Sequence, residues 1–211
     1  MLPKIIHQIG NNQPPAFISR CLQSWSAVDE IGFERVFWTD DDILSFLASE
    51  YPHVLQMFKA ARNHAEAADI ARYTIVYHFG GHYIDWDVEL LDLNEFESLC
   101  KHNPNGFLLQ DRVNQTLASE VFSASRKENY LMDIILNMIN IYENNFRDCL
   151  STPQFSGPYR MRETYYFRPN VSKQQLLDVK NVFLYDYAEI REMAPKKIKR
   201  AMVHYWMHSW F

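Results

Sequence analysis

Asp85 and Asp87 stand one residue apart at the end of the octapeptide Gly80-Gly81-His82-Tyr83-Ile84-Asp85-Trp86-Asp87. In an extended strand, side chains at i and i+2 leave the same face. Both carboxylates would then point together beside Tyr83, with Ile84 and Trp86 turned to an apolar side. Two like charges held side by side are costly unless a cation sits between them. Hard oxygen ligands suit Mg²⁺ or Mn²⁺, and Mg²⁺ is usually shared between a carboxylate or two and substrate phosphates. The octapeptide therefore points to a metal–diphosphate site. A bare Asp-x-Asp is common at solvated strand ends, so the surrounding elements have to decide.

Those elements read as an α/β chain. Ile5-Ile6-His7-Gln8-Ile9-Gly10 is a first short strand before the turn-rich Asn11-Asn12-Gln13-Pro14-Pro15. Phe17 to Val28 has helical spacing. Phe33 to Trp38 alternates as a second strand and runs into Thr39-Asp40-Asp41-Asp42, a cap for the next helix. This βαβα opening predicts a parallel core. A further helix starts at Asn63, with Glu66 completing an approximate capping box, and stops at Gly80-Gly81. Asp69 and Arg72 form an i, i+3 pair on its otherwise apolar stripe. Tyr83 to Leu91 is the expected strand for the carboxylates. Residues 106–110, 120–124 and 182–184 read as further strands, Asn129 to Ile141 as an amphipathic helix, and Ser151 to Pro169 as irregular.

Composition excludes several classes. A net charge of −5 argues against a general nucleic-acid binder, which needs positive surface for phosphates. Three widely spaced cysteines, Cys21, Cys100 and Cys149, give neither a disulfide framework nor zinc spacing, which favours a reducing compartment. The N-terminus lacks a signal-peptide apolar region, and no stretch approaches the roughly 20 apolar residues of a membrane span. The expectation is a cytoplasmic chain with a single domain over residues 1–211, its donor-binding part about 1–125 and its acceptor-side and C-terminal metal-site part about 126–211.

Several segments together resemble a known family. Pro3-Lys4-Ile5-Ile6-His7-Gln8-Ile9, Ala68-Asp69-Ile70-Ala71-Arg72-Tyr73 and the octapeptide are similar to the DXD sugar transferases of glycosyltransferase family 32. That family includes capsule and lipopolysaccharide sugar transferases, fungal mannosyltransferases and, more distantly, glucosylating toxin domains. Ser156-Gly157-Pro158 looks like its Thr-Gly-Pro element, with Ser for Thr. His204-Tyr205-Trp206-Met207-His208-Ser209-Trp210 is similar to its closing His-His-x-x-x-Ser-Trp, with Tyr205 where a second His is common.

The resemblance implies a GT-A fold: a Rossmann-like nucleotide-binding sheet flanked by helices, with the DXD at a strand end. It implies a nucleotide-sugar donor, a divalent cation (Mn²⁺ or Mg²⁺) and retention of anomeric configuration. By the same resemblance, Asp87 binds the metal directly, and Asp85 holds the ribose and sugar side or reaches the metal through water. Asp69 and Arg72 grip the donor sugar, and Gln8 and Ile9 flank the base beside His7. Tyr83 accompanies the donor site, while Ser209 and Trp210 contact diphosphate and ring. His204 is the third metal ligand, with His208 as rival. Glu120 would lie beneath the sugar as a nucleophile or as a stabiliser of an oxocarbenium-like transition state; the bland alternative is a surface Glu at a strand start.

The expected function is a metal-dependent retaining transferase moving a hexose or N-acetylhexosamine from a UDP-sugar to a glycan or lipid-linked acceptor of a surface polysaccharide or lipopolysaccharide. GDP-mannose is the alternative donor, and a non-catalytic nucleotide-sugar-binding domain the competing class. The basic run Lys196, Lys197, Lys199 and Arg200 is either a solvated face or a peripheral contact with anionic lipid at the inner face of the cell membrane.

Overall fold

Short β-branched and aromatic segments build the centre of the protein. In the computed structural model, described here for residues 2–167, 174–184 and 200–207, β1 (Ile5–Ile9) pairs in parallel with β2 (Glu34–Trp38) and with β3 (Gly81–Ile84). β7 (Val121–Ala124) adds to β3 in antiparallel sense, giving the order β2-β1-β3-β7. The helices α1 (Ala16–Ser24), α2 (Asp40–Glu50), α3 (Pro52–Lys59) and α4 (His64–Phe79) supply the crossovers. This is the mixed α/β arrangement of the GT-A type, and the parallel core expected from the βαβα opening is present.

Alternation along the strands separates two apolar layers. Tyr83 and Phe122 belong to one cluster with Ile70, Tyr73 and Val76 of α4; their neighbours Ile84 and Val121 belong to the other, with Trp25 and Phe107. α4 is buried almost throughout, which explains an apolar sequence interrupted by Glu66, Asp69 and Arg72. Asn63 caps it by accepting the Glu66 N–H at 2.9 Å. Glu66 does not return the bond. Its buried carboxylate pairs instead with Arg62 at 2.6 Å and Arg147 at 3.7 Å.

Two smaller sheets complete the frame. β4 (Val88–Leu90) pairs antiparallel with β10 (Met202–His204), which lies parallel to β9 (Phe183–Leu184). After α5 (Leu93–His102), β5 (Phe107–Asp111) runs between β6 (Thr116–Leu117) and β8 (Gln175–Asp178). α6 (Asn129–Glu143) packs on α4 and extends the helix read from the sequence by one half-turn.

Three expectations change. The helix expected over 17–28 is α only to Ser24 and then tightens into a 3₁₀ turn, Trp25–Ile31, stopped by Gly32 at φ 79°. The strand expected over 83–91 is broken: Asp85–Asp87 form a turn closed by the Val88 N–H on the Asp85 carbonyl at 3.1 Å, and the chain then enters a different sheet. The stretch expected to be irregular over 151–169 is helical in its described part, 151–167. It forms α7 (Thr152–Phe155) and α8 (Pro158–Phe167), started by a Ser151–Gln154 capping box and by Pro158 as the first helical residue. Among the described residues, no helix is long and apolar enough to cross a membrane.

Candidate active site

Gly80 and Gly81 set the site by ending α4 and turning the chain into β3. Their φ angles are +68° and +103°, and a Cβ on Gly81 would lie 2.5 Å from the Ile5 carbonyl oxygen, so β3 can pair with β1 only if glycine stands there. Beyond Ile84 the chain leaves the sheet, and the turn projects Asp85 and Asp87 at the carboxyl end of the strand, where open α/β sheets receive ligands.

β10 brings the third group. Its antiparallel register sets His204 opposite Val88, one residue after Asp87. Ligand atoms of Asp85, Asp87 and His204 lie within 4.8 Å of one another, and all three residues are buried. His204 Nε2 is 3.3 Å from Asp87 Oδ1, and the Met207 N–H donates to Asp87 Oδ2 at 3.0 Å. That second bond needs the backbone to reverse at Trp206, whose φ is +49°, a conformation costly for a bulky side chain. The Trp206 ring also lies against His204, with centroids 4.5 Å apart.

Arg72 ties the rest together. Its Nη2 is 3.3 Å from Asp85 Oδ1, its Nε is 3.5 Å from Asp69 Oδ1, and its Nη1 donates to the Ser119 carbonyl at 2.7 Å. Tyr83 packs its ring under the guanidinium, 4.6 Å from centroid to Cζ, and donates its hydroxyl to Asp85 Oδ1 at 2.6 Å. Ser156 donates to Asp69 Oδ2 at 2.9 Å, and Tyr73 donates to the Ser156 carbonyl at the same distance.

Asp69, Arg72, Asp85, Asp87 and His204 line one cavity of about 430 Å³, together with Asp111, Asn114, Tyr159 and Trp206. Among the described residues lining it, Asp69, Asp85, Asp87, Asp111 and Glu120 meet a single permanent cation, Arg72. Burial pushes Asp69 and Asp85 up to about 6 against the opposing pull of Arg72. Burial pushes Asp87 the same way, but His204 and the Met207 N–H outweigh it and leave its carboxyl below the usual range. For His204, burial alone would lower the pKa; Asp87 and Glu120 reverse this and hold it up at about 10. A pocket so rich in carboxylate and poor in positive charge fits a divalent cation. Two carboxylates with one imidazole suit Mn²⁺ better than the all-oxygen preference of Mg²⁺.

A second, smaller cavity of about 190 Å³ lies on the other side of the same turn. Trp86 lines it with Ile9, Gly10, Asn11, Asp40 and Phe58. A Cβ on Gly10 would stand 2.4 Å from the Trp86 ring, so glycine is what lets that ring lie over the end of β1.

Residues 15–104 match the family described as "Glycosyltransferase sugar-binding region containing DXD motif". This match takes in the Asp85-Trp86-Asp87 motif and both Asp69 and Arg72. The chain is 32% identical over 93 residues to inositol phosphoceramide mannosyltransferase 2 of Schizosaccharomyces pombe, a match covering 41% of this chain and 25% of that protein. The chain thus spans about a quarter of the length of such curated relatives. Among solved structures it is similar to PaToxG glycosyltransferase, with TM-score 0.61, 12% identity, and coverage of 79% of this chain and 70% of that one. It is also similar to a glycosyltransferase involved in glycosylation of the major capsid of PBCV-1, with TM-score 0.54, 13% identity, and coverage of 95% and 92%.

Of the residues singled out in the sequence, Asp69, Arg72, Asp85, Asp87, Glu120 and His204 meet in the larger cavity, and Ile9 lines the smaller one. His7 and Gln8 reach neither. His7 is 1% exposed with both ring nitrogens engaged, Nε2 donating to the Gly80 carbonyl at 2.9 Å and Nδ1 accepting from Trp38 Nε1 at 3.2 Å. Gln8 lines a separate groove with Phe33, Arg35 and Phe37. Tyr83 is fully buried and touches Asp85 and Arg72. His208, Ser209 and Trp210, like Lys196, Lys197 and Lys199, lie outside the described residues; Arg200 is half-buried. Asp111, Asn114 and Tyr159 were not foreseen. The Asp-x-x-Asn spacing was a usable turn signal, since Asp111 accepts the Val113 and Asn114 N–H groups at 2.9 and 3.0 Å.

Proposed function

We propose that the protein is a metal-dependent glycosyltransferase that moves a hexosyl group from a nucleoside-diphosphate sugar to an acceptor entering the larger cavity, with retention at the anomeric carbon. The observation that carries this reading is the convergence of Asp85, Asp87 and His204 within 4.8 Å at the rim of that cavity, from a β3–β4 turn and from β10. A divalent ion held there would neutralise charge developing on the departing nucleoside diphosphate.

The protein's own groups have separable tasks in this reading. The smaller cavity beside Trp86 takes the base, with Ile9 and Asp40 on its wall. Asp69, held by Ser156, and Arg72, held by Ser119 and Asp85, present fixed polar edges to the donor sugar. Their rigidity matters because a group already oriented needs no reorganisation as charge develops. Tyr159 and Trp206 also line this cavity and would offer ring faces to the acceptor.

For the donor, a UDP-hexose or UDP-N-acetylhexosamine remains the first choice. The mannosyltransferase activity of the fungal relatives makes GDP-mannose the second. A glycan or lipid-linked acceptor of a surface polysaccharide, and a location at the cytoplasmic face of a membrane, complete the proposal. The test is a thermal-shift panel of UDP- and GDP-sugars with and without Mn²⁺, followed by nucleotide release from the best binder. A Mn²⁺-dependent rise in melting temperature with slow hydrolysis of one donor is expected. Binding without hydrolysis or transfer to any added acceptor would instead favour a non-catalytic nucleotide-sugar-binding domain.

A further inference from the structure

Glu120 sits where β7 begins, one residue before Val121, which faces Ile84 of β3. The Asp85 N–H donates to the Glu120 carbonyl at 2.8 Å, so the two backbones are locked together at the base of the site. The Glu120 side chain turns toward β10, where its Oε1 lies 3.7 Å from His204 Nδ1. The other imidazole nitrogen faces Asp87 at 3.3 Å. The ring of His204 is therefore flanked by a carboxylate on each nitrogen, is 5% exposed, and among the described residues has no hydrogen-bond partner for Nδ1 within normal reach.

We propose that Glu120 is the positioning residue for metal ligand His204, accepting the Nδ1 proton so that Nε2 is left as the ligating nitrogen. This rests on the metal reading above. A ligating imidazole presents one nitrogen to the metal and keeps its proton on the other, and a carboxylate accepting that proton fixes both tautomer and ring plane. Glu120 is only 6% exposed, and its carboxylate lies within ion-pair distance of the imidazole. A short closure of the 3.7 Å gap converts the contact into a charge-assisted hydrogen bond. Glu120 then acts through His204, and the sugar is left to Asp69, Arg72 and Asp85.

The test is Mn²⁺ affinity, measured by electron paramagnetic resonance of the free ion on the intact chain without donor. Glu120→Ala should weaken Mn²⁺ binding by about 10- to 100-fold, the range typical of such partners, and Glu120→Gln should recover part of it. In a His204→Ala background, Glu120→Ala should add no further loss, because its route to the metal is already gone. In turnover, the apparent KM for Mn²⁺ should rise while kcat at saturating Mn²⁺ falls little. Wild-type Mn²⁺ affinity in Glu120→Ala, or an equal added loss in the His204→Ala background, overturns the proposal. A kcat lost at every Mn²⁺ concentration with unchanged affinity assigns Glu120 to the sugar instead. Failure of the wild type to bind Mn²⁺ removes the metal reading itself, an outcome distinct from either. If Glu120→Ala does not fold, Glu120→Gln alone and in the His204→Ala background carries the same comparison.

Discussion

Ser156 donates its hydroxyl to Asp69 Oδ2 at 2.9 Å across 87 residues of chain, joining the turn between α7 and α8 to the middle of α4. The contact places a small residue against a carboxylate that burial already drives up to about 6. Without the hydroxyl, Asp69 would hold its charge less well and would lose one of the bonds that fix its rotamer. Ser156→Ala should cost about 1–2 kcal/mol of stability and lower transfer several-fold, while Ser156→Thr should retain both, because either hydroxyl can donate. Gly157 is under the same constraint: a Cβ there would stand 3.0 Å from Pro153 Cα and 3.2 Å from Asp69 Oδ2. Gly157→Ala should therefore lower donor affinity by displacing Asp69. Calorimetric melts and donor titrations of the three variants are the measurement, and a Ser156→Ala protein with unchanged transfer would count against the role assigned to Asp69.

How much of this could be read before the structure depends on whether the signal was local. The Thr39 cap is local: Thr39 and Asp42 exchange side-chain–backbone bonds, as the run Thr-Asp-Asp-Asp announced. So is the Gly80-Gly81 stop. Asp69 and Arg72 were legible because a charge inside an apolar stripe is costly to bury unless a partner or a ligand meets it. The turn at Asp85–Asp87 was not, since Tyr83, Ile84, Trp86, Val88 and Leu90 favour a strand on either side of the carboxylates and the change of sheet partner after Ile84 is a long-range event. The carboxylates still converge, through a turn rather than through strand alternation.

His7 shows the opposite failure. Its position at the end of a strand suggested a ligand contact, but Trp38 on the neighbouring strand and Gly80 on the next turn claim both nitrogens. Nothing within ten residues of His7 encodes that. Likewise the Met207 N–H on Asp87 and the Ser119 carbonyl on Arg72 are backbone groups, which carry no residue signature at all.

Arg72 should be irreplaceable by lysine. Its guanidinium serves Asp69, Asp85 and the Ser119 carbonyl from three different nitrogens, which a single ammonium cannot reproduce. Arg72→Lys should fold but lose most of its transfer. Arg72→Ala should be destabilised by about 3–5 kcal/mol, because it leaves buried carboxylates without their counter-charge. For a chain of this size that corresponds to a fall of roughly 10 °C in melting temperature. Melts of both variants at pH 7 check it; an Arg72→Ala protein as stable as wild type would mean that the two carboxylates are already protonated there.

The acid limb of stability should carry the signature of buried neutral imidazoles. Burial brings His82 down to about 3, with a smaller push from His7, and brings His7 down to about 4 against the opposing bond to Gly80. Both folded values lie below the unfolded one of about 6.5, so the unfolded chain binds more protons as pH falls below that point. Their contribution is therefore complete above pH 6.5 and is lost progressively toward pH 4 and 3. Asp69 and Asp85, raised to about 6, act in the opposite sense, so the wild-type slope alone cannot isolate the histidines. His82 can be isolated by difference. It lies among Phe33, Phe96 and Phe107, away from the cavity, with Nε2 only 3.9 Å from the Cys100 sulfur as a weak partner. Subtracting urea-unfolding curves of His82→Gln from wild type between pH 7 and 4.5 should leave a stability difference that falls with acidification, by on the order of 2 kcal/mol across that window. A difference independent of pH would mean that His82 is protonated in the folded state, and that the layer around Phe96 and Phe107 admits water.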